Sequence, residues 1–274
     1  MSTRSFAILS MIGVWLFDGM EWARAADADV TRNFETNSLS GWRVAGNAPS
    51  VQGSIKRLGR YGMRSYLNRS TSAVSYRTEA RAIAPDPIVN QEYWYGFSIY
   101  LPDDYVPDTV WEIVAQWHAI PDNSSEAGTK PPISLSTTRG AWTLSNKWTS
   151  DRITNSSNVK SRNFNFGTYA RGRWTDWVFR IKWSYGTEGI LEAWKNGQKV
   201  LSAKGPNTYN DARMPYFKMG IYKGWKDGMR TGVVTQRTLY HDEFRMVGPG
   251  GSYGEVAPST QATTLQAPSE FTIE

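Results

Sequence analysis

From Phe34 onward, apolar and polar residues alternate in short stretches separated by Gly, Pro, Asn and Asp. In Tyr93–Leu101 the residues Tyr93, Tyr95, Phe97, Ile99 and Leu101 share one face. In Val110–His118 the alternation groups Trp111, Ile113, Ala115 and Trp117 against Glu112, Val114, Gln116 and His118. Trp177–Ser184, Ile190–Trp194, Lys199–Ala203, Tyr216–Lys223 and Leu239–Val247 repeat the pattern. A period of two is that of a strand with one buried face. Between Ile190–Trp194 and Lys199–Ala203 lies Asn196-Gly197, whose residue types suit the positive φ values of a type I′ hairpin turn. No long amphipathic helix and no fixed repeat is present. The pattern predicts an all-β fold, a two-sheet antiparallel jelly-roll sandwich (concanavalin-like) with a ligand cleft on its concave face.

Three regions depart from the alternation. Residues 1–25 have the layout of an export signal: Arg4, an apolar run from Phe6 to Phe17, and Ala23-Arg24-Ala25 ahead of a cut before Ala26. The run is too short to span a bilayer. The mature protein is therefore expected outside the cytoplasm, secreted or periplasmic. Residues 121–173 are rich in Ser, Asn, Thr, Lys and Arg and are expected to form short strands and loops at the rim of the cleft. Residues 249–274 are rich in Gly, Pro, Ser and Thr and are expected to form a flexible tail. The predicted organisation is a signal over 1–25, one β domain over 26–248, and the tail.

Composition narrows the chemistry. The chain has no cysteine and two histidines, His118 and His241, which removes disulfides, thiolate chemistry and His-rich metal sites. No cofactor is expected to be required. A structural Ca²⁺ held by carboxylates and carbonyls is compatible with the composition, which gives no position for it. The formal net charge of +6 favours polyanions, and 13 Trp residues suit either a wide core or platforms for sugar rings. No basic run of nucleic-acid type is present. The expected partner is an acidic polysaccharide, with neither nucleic acid nor membrane, and the chain is expected to be a monomer.

Three strands carry unexpected groups on their polar faces. Arg77, Glu79 and Arg81 alternate along one, either as a surface ion-pair ladder or as guanidinium groups held for a carboxylate ligand. Gln116 and His118 stand side by side on the second. Tyr216, Lys218, Gly220 and Tyr222 line up on the third, opposite the apolar Phe217, Met219 and Ile221.

The segments Arg77-Thr78-Glu79, Gln116-Trp117-His118 and Tyr216-Phe217-Lys218-Met219-Gly220-Ile221-Tyr222 resemble, in order and strand character, the three signatures of jelly-roll polysaccharide lyases. In family 7 alginate lyases these read Arg-Ser/Thr-Glu-Leu, Gln-Ile/Val-His and Tyr-Phe-Lys-Ala-Gly-Val/Ile-Tyr-Asn-Gln. Ala80, Trp117 and Lys223-Gly224 depart from that pattern. With Tyr240-His241-Asp242-Glu243-Phe244-Arg245 they look more like the heparin-lyase-I-like group and the related glucuronan lyases. The resemblance implies β-elimination at a 4-linked uronate, glucuronan or another glucuronate polymer first and alginate second. It implies that Arg77, Gln116 and His118 neutralise the substrate carboxylate, and that Tyr222 protonates the leaving oxygen, with Tyr222 or His118 as base. Lys218, Glu79, Arg81, Tyr216, Lys223 and Trp148 are the expected substrate-binding residues. Gly220 is expected to leave room for the sugar, and His241 to be structural.

Two other functions fit a sandwich with this composition. A glycoside hydrolase needs paired carboxylates across the scissile bond, but Glu112 is alone on its predicted polar face. A non-catalytic carbohydrate-binding module accounts for the Trp content but has no need of Tyr222 among cations.

Overall fold

The computed structural model describes residues 29–71, 76–126, 130–225 and 232–258. The expected signal and residues 259–274 lie outside them. In chain order the strands are β1 (Val30–Arg32), β2 (Trp42–Gly46), β3 (Ser50–Gln52), β4 (Gly62–Asn68), β5 (Arg77–Ala82), β6 (Glu92–Leu101), β7 (Glu112–Ile120) and β8 (Ile133–Ser136). They continue as β9 (Ala141–Trp148), β10 (Lys160–Thr168), β11 (Arg173–Lys182), β12 (Ile190–Lys195), β13 (Gln198–Lys204), β14 (Arg213–Lys223) and β15 (Gln236–Val247). One short helix, α1 (Tyr253–Val256), follows.

The strands form two antiparallel sheets. One runs β13-β12-β11-β6-β15-β4-β3, with β1 added on β15, and the other runs β10-β9-β8-β7-β14-β5-β2. The core between them is aromatic: Phe217 stacks on Phe244 of the opposite sheet, and Trp117 meets Tyr95 and Phe179 edge-on. The jelly-roll sandwich expected from the alternation is what forms. At the β12–β13 turn, Asn196 and Gly197 have φ of 50° and 81°, as a type I′ turn requires. Residues 121–173 do more than line a rim, since they supply β8, β9 and β10, the outer half of the second sheet.

The fold continues past residue 248, so the boundary set there is too early. The last described residues pack on the outer face of the first sheet, where Val256 is buried against Trp94, Val178 and Val247. Arg245 Nη1 donates to Ala257 O at 3.1 Å. This cover explains why β6 is buried on both faces. It also fixes Gly96 as glycine, because a Cβ there would lie 1.8 Å from the carbonyl oxygen of Val256.

Two bulges set which side chains leave the second sheet. Against β8, β7 has an extra residue between Ile113 and Ala115, and against β7, β14 has one between Met219 and Tyr222. A bulge shifts the alternation by one position. Val114 and Ala115 are therefore both buried, Gln116 and His118 keep the outward face, and Glu112 turns inward. The grouping of Glu112 with Gln116 and His118 does not hold. Glu112 is instead the centre of a buried network. Its Oε2 accepts from Arg237 Nε at 2.8 Å and lies 3.2 Å from Lys223 Nζ, while its Oε1 takes Thr137 Oγ1 at 2.7 Å and the Tyr105 hydroxyl. The bulged backbone also frees Val114 O to meet His241 Nε2 at 2.9 Å from the opposite sheet. His241 is fully buried, and burial lowers its pKa to about 3. It is a neutral, structural histidine.

Candidate active site

The registers of the second sheet place the candidate residues in adjoining cross-strand rows on its outward face. One row runs Arg43, Arg81, Lys218, Gln116, Ser134, Ser145 and Asn163 across all seven strands. A second runs Arg77, Tyr222, Ile113, Ser136, Thr143 and Asn165. Glu79 and Gly220 pair between them, and Tyr216 pairs with His118 on the far side of the first row. Each side chain reaches this face because its neighbours on the strand (Thr78 and Ala80, Trp117, and Phe217, Met219 and Ile221) are buried in the core.

Glu79 is the hub of the site. It is 1% exposed, and three groups converge on its carboxylate. Oε2 lies 3.2 Å from Lys218 Nζ and 3.4 Å from Arg77 Nε, and Oε1 accepts from Gln116 Nε2. Only a donor can face a carboxylate, so the Gln116 amide has one orientation, with its NH₂ on Glu79. That leaves Gln116 Oε1 buried without a partner, and Arg77 Nε lacks a partner in bonding geometry. Lys218 is 2% exposed, and its pKa is lowered, first by burial, then by Arg77 and Arg81, against the opposing pull of Glu79.

His118 is neutral. Burial, followed by the nearby charges of Lys218, Arg77 and Arg81, lowers its pKa to about 4. Its Nδ1 lies 2.8 Å from Ala119 O, and a carbonyl can only accept. The proton is therefore on Nδ1, and Nε2 carries a lone pair. In that form His118 cannot donate to a substrate carboxylate through Nε2, contrary to the role the resemblance implies. It is an acceptor, suited to be a base. Its ring stacks on Tyr216 at 5.5 Å, and the Arg81 guanidinium covers Tyr216 at 3.6 Å from the ring centroid. Burial raises the Tyr216 pKa, with Arg81 opposing, so this phenol keeps its proton.

Tyr222 is half-buried at the edge of the cluster. The Arg77 guanidinium sits 4.3 Å over its ring, and Trp111 meets it edge-on at 5.0 Å. The cation beside Tyr222 is thus Arg77, whereas Lys218 is bound to Glu79 and lies 6.0 Å from the Tyr216 ring. Trp111, Ser134, Ser145 and Asn163 were not singled out from sequence. The rows that collect the last three follow from strand register, which no local motif carries.

Three expectations for the site change. Lys223 is fully buried, 2.7 Å from Asp108 and 3.2 Å from Glu112, and so is unavailable to substrate. Its strand alternation already pointed inward, and two carboxylates make an inward ammonium stable. Trp148 lies on the same side of β9 as the buried Asn146 and Leu144, opposite Ser145, with Arg162 at 5.4 Å from its ring. Gly220 is not a gap for sugar. Its φ is 141°, and a Cβ would come within 2.1 Å of Thr78 O on β5, so glycine is required for β14 to approach β5. The same face carries two cavities of about 540 and 570 Å³. Lys147 and Ser161 are among the residues lining the first, and Ser136, Thr143, Ser145 and Asn163 among those lining the second.

Residues 32–245 match the family described as polysaccharide lyase. Among solved structures, an endo-β-1,4-glucuronan lyase from the fungus Trichoderma reesei aligns with a TM-score of 0.72 and 21% identity, covering 85% of this chain and 99% of that one. A family 7 alginate lyase, A1-II′, in complex with product aligns at 0.50 and 16%, covering 81% and 100%. Alginate lyase AlyC3 in complex with dimannuronate aligns at 0.50 and 9%, covering 83% and 93%. No curated protein sequence matches the chain. The fold is that of these enzymes, and the family match spans the strands that carry Arg77, Gln116, His118 and Tyr222: the chain belongs to the polysaccharide lyase family and is a polysaccharide lyase.

Proposed function

We propose that this enzyme cleaves a 4-linked glucuronate polymer, glucuronan first, by β-elimination, leaving an unsaturated uronate at the new non-reducing end. The observation that carries this reading is the Glu79 hub. It holds the Lys218 ammonium, the Arg77 guanidinium and the Gln116 amide together on one face, beside the neutral His118 and the Tyr222 phenol.

The C5 proton of a uronate is weakly acidic while the neighbouring carboxylate is anionic. Removing it builds a second negative charge on that carboxylate. Arg77, Lys218 and the remaining N–H of Gln116 are donors for that charge, preorganised by Glu79 as in an oxyanion hole. In glucuronate the C5 hydrogen and the C4 oxygen share one side of the ring. One group can then take the proton from C5 and, as the C4–O bond breaks, return it to the leaving oxygen. Tyr222 is assigned both steps. In guluronate the two lie on opposite sides, and His118 Nε2 would take the proton while Tyr222 donates. Mannuronate has the glucuronate arrangement, which keeps alginate as the second substrate. The pattern of residues 1–25 supports export from the cytoplasm.

A panel of polyuronates monitored by ultraviolet absorbance tests this. Glucuronan should give rising absorbance, Tyr222→Phe should lower turnover by about 10²–10⁴-fold, the range for a lost acid–base group, and His118→Ala should spare more activity on glucuronan than on guluronate. New reducing ends without absorbance would mean hydrolysis, and normal turnover by Tyr222→Phe would remove Tyr222 from the chemistry.

A further inference from the structure

The outward face of the second sheet holds a third cross-strand row. Gln116 pairs with Ser134 and Ser134 with Ser145, so two residues further along these strands His118 is level with Pro132 and Lys147. Lys147 N donates to Pro132 O at 2.7 Å, and Lys147 pairs onward with Ser161 on β10. With Tyr216 paired to His118 at the other end, the row runs Tyr216, His118, Lys147, Ser161. Lys147 is thus two strands from His118, about 10 Å at a strand spacing of about 4.8 Å. That is beyond the sugar whose C5 faces the base and within reach of another sugar of the same chain.

Lys147 and Ser161 open onto the cavity of about 540 Å³, which Lys130, Thr154, Asn155 and Ser156 also line. Lys147 is half-buried, and its Nζ donates to Ser145 Oγ at 2.5 Å. An ammonium has three N–H donors, so two are left for a ligand. Burial lowers the Lys147 pKa and the charge of Lys130 lowers it further, with no carboxylate acting against them. Lys218 and Lys223 differ, since each faces a carboxylate of its own. The carboxylate that lines the cavity among the described residues, Glu126, is 2% exposed and turned onto backbone amides, accepting from Asp122 N at 2.9 Å and Thr154 N at 2.6 Å. An ammonium partly withdrawn from water without a counter-charge is costly, and an anion entering the cavity offsets that cost.

We propose that this cavity is a second carboxylate subsite, in which Lys147, with Lys130 and the hydroxyls of Ser145 and Ser161, holds a uronate remote from the one being cleaved. On the reading of the chain as a polyuronate lyase, on which this subsite rests, every sugar of the substrate carries a carboxylate. One can then engage the Glu79 hub while another reaches Lys147. The cations select an anionic chain, and the hydroxyls suit the sugar O–H groups. Two anchoring points on one molecule raise the effective concentration of each at the other, so long chains are favoured over oligomers too short to reach both.

The test is initial rates, followed by product absorbance, on the polyuronate that the unmodified chain cleaves and on the shortest oligomer of it that is still cleaved. Lys147→Met should raise KM for the polymer about tenfold or more, the factor that a hydrogen bond to a charged group carries. Its kcat should stay within about twofold, the pattern of lost uniform binding. The shortest oligomer should be affected much less than the polymer. Lys147→Arg, which keeps the charge, should recover most of the loss, and Lys147→Met should melt no lower than the unmodified chain, because it removes an unpaired cation. The subsite is overturned if Lys147→Met leaves KM for the polymer unchanged, if kcat falls instead, or if polymer and oligomer suffer equally. Failure of the unmodified chain to cleave any polyuronate would overturn the lyase reading itself, and the subsite with it.

Discussion

Glu79→Gln is the most informative substitution, because it separates the hub's role in stability from its role in catalysis. It keeps the shape of the side chain and removes the charge that Lys218 faces at 3.2 Å, where the side chains are 3% and 2% exposed. Removing one partner of a buried ion pair leaves the other charge uncompensated, at a cost of about 3–5 kcal/mol. For a domain of this size each kcal/mol shifts Tm by about 2–4 °C, so a fall of roughly 6–20 °C is expected. Lys218 can escape part of the cost by losing its proton, since burial already lowers its pKa. Over the window between that lowered pKa and the ordinary lysine value, the unfolded chain binds the extra proton, so the variant should regain stability as pH rises. Adding Lys218→Met to Glu79→Gln removes the stranded charge, and paired removal is commonly neutral or stabilising. The double variant should recover most of the stability in urea unfolding, while turnover, followed by product absorbance, stays low in both. If Glu79→Gln unfolds within about 0.5 kcal/mol of the unmodified chain, the level of an ordinary surface substitution, or if the double variant shows no recovery, Glu79 is not the hub described.

Gly220→Ala should destabilise the fold by about 1–3 kcal/mol, the range for a strained backbone position, and lower turnover, because β5 must move from the new Cβ; both are measurable by urea titration and initial rates. Lys223→Met, which leaves Asp108 and Glu112 short of a cation, should cost about 3–5 kcal/mol in urea unfolding, and a raised KM with unchanged Tm would instead restore Lys223 to the groove. His118 holds its proton less tightly in the fold than in the unfolded chain, with a pKa of about 4 against 6.5. Between those values the unfolded state binds more protons, so stability rises with pH across that window and is lost as pH falls toward 4. His118→Gln should therefore lose less stability than the unmodified chain between pH 7 and 4.5, and equal losses would mean that the His118 environment is wrong.

The sequence by itself determined the fold class, the hairpin at Asn196-Gly197 and the three strands whose outward residues meet. A period of two is a local property: Arg77 and Glu79 sit on β5, where it runs without interruption, and Lys218 and Tyr222 keep the outward face of β14 on either side of its bulge. It also pointed Lys223 inward, where the structure places it; a charge on a core face reads as misplaced until its partners, Asp108 and Glu112, are known. Where tertiary structure decided the outcome, the cause was contact between segments far apart in sequence. The bulge at Val114 turned Glu112 into the core, because only pairing with β8 creates the extra residue. The approach of β14 to β5 made Gly220 a packing requirement. The cover provided by Val256 carried the fold past residue 248. The Glu79 hub joins groups 37 and 139 residues away. Strand alternation can place each of these on the correct face, but only register brings them to the same carboxylate.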